Sequence, residues 1–413
     1  MQKIKLKGGV DLYSLKSDKF KRWSANIYLC RPLNEKEASY NAVLSAVLRR
    51  ATMEYPTFRK LQLKLDNMYG TVYTSYVKKT ADTHTLVLSV SSVCDKYLPE
   101  KTSVQVLKFL ENALFNPYVI NGSFDSATVE LEKENRIKQI DALINNKGDY
   151  ADKRLTEIMF EGQPFATDVL GSIDEIRKIT AESLYEHYNN VINDSKIVLA
   201  VCGDVDINIA KEEFEEISSN ENIPKSTVAD IRENVKEVTE PMEVTQGKLS
   251  MGFKIERGFP LARAEAIVFN AIFGGTATSK LFTNVRERLS LCYYANSRLF
   301  YGKRVITVRS GIEIDKYNLV KEEVLNQLSE IQKGNISNEE LENAKAHLVN
   351  IYTSLDDQPR TKADLIASWL FEGESGDVEA LIENIKKVSV EDIKKIAEYV
   401  KLDTVYFLTG KGE

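Results

Sequence analysis

The side chains best suited to binding a metal ion are few in this chain and badly spaced. Its 413 residues include three histidines, His84, His187 and His347. Two imidazoles hold a metal from one face of a helix when they lie four residues apart, and no two of these histidines have that spacing. Glu186 precedes His187, but Ser183 stands where the second imidazole would be needed. We therefore predict no helical metal pair, a surface position for His187 and structural roles for the other two histidines.

Composition and charge narrow the functional classes. Hydrophobic residues at 43% and charged residues at 28% are typical of a folded, soluble protein. The formal net charge of −6 argues against nucleic acid, which needs a concentrated basic face. No stretch has the apolar character of a secretory signal or the length of a membrane span. Four cysteines without a Cys-x-x-Cys pair indicate reduced thiols in a cytoplasmic protein; they are Cys30, Cys94, Cys202 and Cys292.

The two halves of the chain repeat one another. Tyr73 and Tyr293 lie 220 positions apart (293 − 73) in similar local sequence. Each is followed by a strand-like run with alternating apolar residues, 83–93 in the first half and 304–314 in the second. An amphipathic helical pattern comes next in both halves, so the order of elements is the same.

This order of elements predicts the fold class. We expect an α+β protein of two homologous domains, each a mostly antiparallel sheet with helices packed on one side. Residues 1–217 form the first expected domain and residues 248–413 the second. The segment 218–247 is rich in Asn, Glu, Lys, Ser and Thr and is interrupted by prolines. It is therefore the expected linker.

The second half carries the most specific motif of the chain. Residues 269–275 (FNAIFGG), 279–282 (SKLF) and 285–293 (VRERLSLCY) resemble the C-terminal-domain signature of the insulinase, or pitrilysin, family of metallopeptidases. Glycines, aromatic residues and charges agree with that signature at fixed spacing. The resemblance implies paired α/β domains that form half of a clamshell chamber.

The first half resembles the segment that follows the zinc helix of the same family. Thr52 and residues 65–70 carry this likeness, and counting back from Thr52 places the family's His-x-x-Glu-His motif on 42–46. The resemblance puts the third ligand at Gln139, with a slip of one helical turn left open. The positions of the degenerate metal site are therefore Ala42, Ser45, Ala46 and Gln139. Because none of them supplies an imidazole or a carboxylate, the resemblance implies no catalytic residue and no metal cofactor in this chain.

Arg286 and Tyr293 are the residues that the resemblance assigns to substrate binding. In the family, an arginine and a tyrosine at this spacing reach into the chamber and hold the substrate near the zinc. Tyr294 is the nearest competitor, because neighbouring residues of a strand face opposite sides. Tyr293 is preferred because it matches Tyr73 in the repeat. The structural alternative is that Arg286 pairs with an acid and Tyr293 fills the core.

A chain without zinc ligands that keeps this pair resembles one member of the family's two-chain enzymes. The resemblance implies a non-catalytic subunit, whose partner is an active peptidase that carries the zinc motif and acts with it on a peptide substrate. Lys19-Phe20-Lys21, Tyr55-Pro56 and 65–70 resemble non-catalytic members encoded beside an active peptidase in Gram-positive bacteria, including proteins associated with elongation factor P modification.

Two other functions stay open from the sequence. One is a structural or peptide-holding homodimeric scaffold of the same fold, without a peptidase role. The other is an independent metallopeptidase with a displaced site, which would need ligands to converge from Glu132, Glu134, Asp141 and His187. A set dominated by carboxylates is a poor one for zinc.

Overall fold

Two compact units make up the computed structural model, which describes residues 1–355 and 358–410. The first unit contains Met1–Asp141, Thr167–Lys225 and Ser354–Gly376. The second contains Ala142–Ala166, Ser226–Thr353 and the chain from Asp377 onward. The first unit is therefore formed mainly by the first half of the chain but includes Ser354–Gly376 from the second half. The second unit is formed mainly by the second half but includes Ala142–Ala166 from the first.

A six-stranded sheet organises the first unit. Its strands and those of a small separate hairpin are β1 (Gln2–Lys5), β2 (Asp11–Leu15), β3 (Arg22–Pro32), β4 (Val72–Thr80), β5 (Thr83–Val93), β6 (Val119–Ile120), β7 (Ser123–Phe124) and β8 (Lys196–Cys202). The spatial order is β1-β2-β8-β3-β5-β4, with β6 and β7 pairing apart. All neighbours are antiparallel except β2 and β8, which are parallel.

The helices of the first unit include one from late in the sequence. They are α1 (Glu35–Leu48), α2 (Phe58–Asn67), α3 (Ser103–Phe115), α4 (Ser126–Ala142), α6 (Ile173–Lys178), α7 (Ala181–Asp194), α8 (Ile207–Phe214) and α12 (Pro359–Phe371). Asn34 caps α1 by accepting a hydrogen bond from the Glu37 amide at 2.9 Å. From Ala38 to Leu48 every residue of α1 is buried, as expected for a helix that is covered all round.

The second unit repeats this plan with five strands. They are β9 (Lys236–Met242), β10 (Gly247–Ile255), β11 (Cys292–Phe300), β12 (Val305–Ile312) and β13 (Val400–Gly410). The order is β11-β12-β10-β13-β9, and only the β13/β9 pair is parallel. The α-helices are α5 (Lys147–Met159), α9 (Arg263–Asn270), α10 (Tyr317–Gln332), α11 (Asn338–Ser354), α13 (Val378–Lys387) and α14 (Val390–Glu398). Ala271–Gly275 and Leu281–Arg288 are π-helical.

Strand alternation shows that the first sheet is covered on both faces. Residues of β3 with odd numbers, from Trp23 to Leu29, belong to the hydrophobic core that contains the apolar residues of α1. Tyr28 points to the other face, where its hydroxyl donates to the Asp364 carboxylate at 2.8 Å. Its ring meets Phe371 edge-on with centroids 6.0 Å apart. Both partners belong to α12, so this helix covers the second face.

The second sheet is covered in the same way. Phe253 of β10 packs against Phe273 on one face, with ring centroids 5.9 Å apart. On the other face the Ser250 hydroxyl donates to Asp152 of α5 at 3.0 Å. A Cβ at Gly252 would lie 2.6 Å from the Met159 sulfur, so the glycine permits α5 to approach the strand closely.

The predicted α+β class with antiparallel-rich sheets is therefore confirmed, and two features differ from the expectation. Each sheet has helices on both faces. Helix α5, from the first half of the chain, covers one face of the second sheet, and α12, from the second half, covers one face of the first sheet. The expected linker 218–247 also contains β9, which pairs with β13. No helix in the described ranges combines the length and apolarity needed to cross a membrane.

Candidate functional site

The predicted motif positions lie in the most buried part of α1. Ala42 and Ser45 are 0% exposed and Ala46 is 1% exposed. The Ser45 hydroxyl donates to the Ala42 carbonyl at 2.8 Å, a common use of a helical serine. The only side-chain oxygen among the three positions is therefore engaged with the backbone.

A guanidinium joins this part of α1 to the predicted third-ligand position. Arg136 of α4 donates from Nε to the Ala42 carbonyl at 3.0 Å and from a terminal nitrogen to the Ser45 hydroxyl at 3.3 Å. Its other terminal nitrogen donates to the Gln139 side-chain oxygen at 2.8 Å. The structure thus brings Ala42, Ser45 and Gln139 together around one cation. Ala46 lies one turn after Ala42 on the same helix.

These residues do not fit a zinc ion. Zinc needs thiolate, imidazole or carboxylate ligands, and this site offers backbone carbonyl, hydroxyl and amide oxygens that already accept from Arg136. Burial lowers the pKa of the Arg136 guanidinium, and the charge of Arg49 lowers it further while Glu132 acts in the opposite direction. A second cation at this position would therefore meet a positive charge that water screens incompletely.

Sequence reasoning missed Arg136. The signal was present, because Arg136 precedes Gln139 by three residues and so lies on the same face of α4. An arginine is not a metal ligand, however, and a search for lost ligands passes over it.

The alternative metal site also finds no support in the geometry. Glu132 is 3% exposed and is paired with Arg50, whose Nε donates to it at 2.6 Å. Glu134 lies 3.6 Å from the Lys138 ammonium on the solvent side of α4. Across the residues that the structure describes, no three His, Cys, Asp or Glu side chains are close enough together to hold a metal ion.

The prediction that His187 lies on the surface is wrong. His187 is 9% exposed, and its Nε2 lies 2.9 Å from the side-chain oxygen of Asn41. The Asn41 amide nitrogen lies 3.1 Å from His84 Nδ1, and His84 Nε2 lies 2.9 Å from the Val169 carbonyl. One assignment satisfies the chain: each Nε2–H donates, and His84 Nδ1 accepts from Asn41. His187 follows Leu184 by three residues and precedes Val191 by four, so it lies on the apolar face of α7, where Asn41 offers it a buried partner.

Burial keeps both imidazoles neutral. It lowers the pKa of His84 to about 4 and that of His187 to about 3. For His187 the charges of Arg31 and Lys36 add to the effect of burial. The Glu37 carboxylate lies 3.9 Å from His187, but Arg31 is paired with it. These histidines therefore act as hydrogen-bonding groups of the core.

Arg286 and Tyr293 occupy accessible positions in the second unit. Arg286 lies in the π-helical segment, is 40% exposed in its side chain, pairs with Glu287 at 3.3 Å and lies 4.6 Å from the Phe282 ring centroid. Tyr293 is 61% exposed. The acid partner foreseen for Arg286 is present, whereas Tyr293 does not fill the core.

A β-bulge explains the different settings of the two adjacent tyrosines. In the β11/β12 register Cys292 is opposite Ile312 and Tyr294 is opposite Gly311, so Tyr293 has no partner. Tyr294 instead lies over Gly311, where an added Cβ would come within 2.6 Å of its ring. Tyr294 is thus held against the sheet, while Tyr293 is presented to its surroundings.

Comparison with known proteins places these features in a family context. The profile of a family described as the peptidase M16 inactive domain matches residues 178–348. The chain is 32% identical over 415 residues to the probable inactive metalloprotease YmfF of Bacillus subtilis, covering 98% of this chain and 96% of that one.

Two solved structures resemble the whole chain. A conserved protein from Enterococcus faecalis V583 superposes with a TM-score of 0.89 at 28% identity, covering 100% of this chain and 99% of its own. A peptidase M16 inactive domain from Pseudomonas fluorescens has a TM-score of 0.81 at 16% identity, with 100% and 98% covered. The second likeness shows the fold alone.

Proposed function

Because the chain belongs to the M16, or insulinase, peptidase family as a homologue of its inactive members, we propose that it is the non-catalytic subunit of a two-chain zinc-dependent peptidase. The family resemblance predicted from the motifs is confirmed. In the proposal, an active chain with the His-x-x-Glu-His motif brings the zinc, and this chain contributes substrate contacts to a shared chamber. In the proposal, the active chain and this chain act together in the cytoplasm, where the four cysteines of this chain would remain reduced.

The main support for this proposal is the contrast between the predicted degenerate metal site and the predicted substrate-binding residues. At the predicted degenerate site, Arg136 donates to the oxygens of Ala42, Ser45 and Gln139, and none of these groups is a thiolate, imidazole or carboxylate. Tyr293, in contrast, is 61% exposed on a bulge. A large aromatic residue at such a position loses the stabilisation of burial. Its accessibility supports a role in contact with another molecule.

The chemistry of the pair suits peptide binding. The Arg286 guanidinium presents several N–H donors in a fixed plane, which can hold successive peptide carbonyls. The Tyr293 phenol can donate to an oxygen that gains negative charge at the scissile bond, an interaction that is stronger in the transition state than in the ground state. The two residues therefore have separable effects, Arg286 mainly on substrate affinity and Tyr293 mainly on turnover.

The test combines this chain with an M16 peptidase of the same organism that carries the zinc motif, and measures cleavage of a quenched fluorescent peptide. We expect no cleavage by this chain alone and cleavage by the mixture. Tyr293→Phe should lower kcat about 100-fold, the usual effect of removing one such donor, and Arg286→Gln should mainly raise KM. Matched controls are Tyr399→Phe and Arg288→Gln, which alter exposed residues of the same types in the same unit.

Assembly is measured separately by analytical ultracentrifugation of the mixture. Normal turnover in both the Arg286 and Tyr293 variants would refute their assigned roles. A stable homodimer with no affinity for the zinc-bearing chain would refute the two-chain enzyme and favour the peptide-holding scaffold.

A further inference from the structure

A cavity of about 700 Å³ lies in the second unit, apart from Arg286 and Tyr293. Residues 145–149, at the start of α5, form one side of it. Lys248 of β10, Tyr294 and Asn296 of β11 and Arg309 of β12 form the rest. The volume falls within the usual range for small-molecule and peptide-segment sites.

Two ammonium groups line the cavity, those of Lys147 and Lys248. The Lys248 ammonium donates to the Gln246 side-chain oxygen and lies 5.6 Å from the centroid of the Tyr294 ring. Burial lowers its pKa, and no described carboxylate acts to raise it. Arg309, in contrast, lies 3.2 Å from Asp152 and 3.6 Å from Asp149. Because a half-buried charge is costly to leave unpaired, Lys248 is the group at which an incoming anion gains most.

Neutral donors also line the cavity. Arg309 Nε donates to the Asn296 side-chain oxygen at 2.9 Å, which leaves the Asn296 amide hydrogens free to donate. The Tyr294 hydroxyl donates no hydrogen bond to the described residues of the cavity wall. It lies 3.3 Å from the position that a Cβ at residue 148 would take if Gly148 were replaced. The small residue at 148 keeps this hydroxyl accessible. The Tyr294 ring itself is fixed by contact with Gly311 and offers a flat apolar wall.

We propose that this cavity binds a carboxylate of a peptide, with Lys248 and the Tyr294 hydroxyl as donors and the neighbouring peptide side chain against the Tyr294 ring. The wall also carries the Lys147 ammonium, which donates to the Met242 sulfur at 3.0 Å, and the Asp149 carboxylate, which lies 3.6 Å from Arg309. Because Arg309 offsets the charge of Asp149, the two ammonium groups, the neutral donors and the aromatic wall fit a singly charged group attached to an apolar chain. The carboxylate can be the C-terminus of the peptide or an acidic side chain. The proposal rests on the proposed function in one respect, that the ligand class is a peptide.

The test uses the full chain alone and four fluorescein-labelled hexapeptides, measured by fluorescence anisotropy. All share the sequence Ala-Ala-Leu-Ala-X-Leu, in which X is Glu or Gln and the C-terminus is a free acid or an amide. We expect the doubly neutral peptide to bind at least 10-fold more weakly than the best of the others. Loss of binding on removing one carboxylate but not the other identifies which carboxylate the cavity holds.

Variants of the cavity supply the second half of the test. Lys248→Met should weaken binding of the preferred peptide about 10-fold and remove most of its salt dependence. Tyr294→Phe should weaken binding about 3-fold while leaving the salt dependence unchanged. Lys401→Met is the matched control, since it removes an exposed lysine from a different strand of the same sheet. Thermal unfolding verifies that each variant is folded.

Equal binding of all four peptides, or unchanged binding by folded Lys248→Met and Tyr294→Phe, would overturn the proposal. Its failure is distinguishable from failure of the two-chain function. Carboxylate-dependent binding that persists when the mixture shows no cleavage would refute the proposed function and leave the cavity assignment standing. Cleavage by the mixture without carboxylate preference would do the reverse.

Discussion

Building the family's zinc motif at its predicted positions would test whether Arg136 obstructs zinc binding there. The fourfold variant Ala42→His, Ser45→Glu, Ala46→His and Gln139→Glu restores the ligand types of the family motif at the predicted positions. We expect this variant to bind zinc poorly while Arg136 is present, and to bind it more tightly when Arg136→Ala is added. The reason is that the guanidinium now holds the oxygens of these positions.

The expected loss of zinc affinity equals the smaller of two free-energy costs, that of keeping the Arg136 guanidinium beside the zinc ion and that of displacing it into water. If the guanidinium stayed in place, a divalent ion about 4 Å away would be repelled by about 8 kcal/mol at an effective dielectric constant of about 20. If Arg136 swung out into water instead, it would lose its hydrogen bond to the Ala42 carbonyl, 3.0 Å in the native chain, and two contacts with the carboxylates introduced at positions 45 and 139 in place of its present neutral acceptors. These are worth about 1 kcal/mol each. Displacement therefore wins, and its cost of about 3 kcal/mol corresponds to roughly a 100-fold loss of zinc affinity.

The assay is competition for zinc with a chromophoric chelator, together with elemental analysis of zinc per chain. Arg177→Ala in the fourfold background is the control, because Arg177 is an exposed arginine of α6. Equal zinc affinity with and without Arg136 would refute the argument that the guanidinium obstructs the site. If neither folded variant bound zinc, the placement of the four ligand positions would be refuted instead.

Three further predictions concern stability, measured by urea unfolding. His84 and His187 have pKa values of about 4 and 3 in the folded chain, below the value of about 6.5 in the unfolded chain. Their contribution to the free energy of unfolding is therefore complete above about pH 6.5 and falls at lower pH, where the unfolded chain gains protons. We expect the free energy of unfolding to fall by about 3 kcal/mol from pH 7.5 to 5.5. His187→Gln should remove about half of this pH dependence, and an unchanged dependence would contradict the assignment. Asp364→Asn weakens the hydrogen bonds from two tyrosine hydroxyls that hold α12 on its sheet, and should cost about 2 kcal/mol; an undiminished midpoint would show that α12 is held by its apolar contacts alone. Gly171→Ala should cost at least about 3 kcal/mol, because φ is +74° and the new Cβ would lie 1.9 Å from a serine oxygen of α1; a loss below about 1 kcal/mol would contradict this geometry.

Local patterns predicted the elements better than their partners. The alternating run 83–93 forms β5 with the same bounds. The sequence did not predict that α5 packs on the second sheet and α12 on the first, because each helix lies in the other half of the chain. Periodicity reports which face of a helix is apolar, but it does not report which of two sheets that face will meet.

The candidate site divides in the same way. Residue types alone ruled out a helical histidine pair, because only three histidines exist and none is correctly spaced. They could not reveal that Arg136 donates to oxygens at the predicted positions of the missing ligands, since that depends on the packing of α4 against α1. Nor could alternation alone separate Tyr293 from Tyr294, because the bulge that distinguishes them is a property of strand pairing.

The sequence by itself determined the family and the α+β class and predicted where zinc ligands are missing, because motifs and spacings can be compared along the chain without knowledge of distant contacts. The tertiary structure decided the exchange of α5 and α12 between sheets, the buried setting of His187, the position of Arg136 and the unpaired charge of Lys248. Each of these depends on residues far apart in sequence, and on the burial that raises the free-energy cost of a charge or a polar group left without a partner.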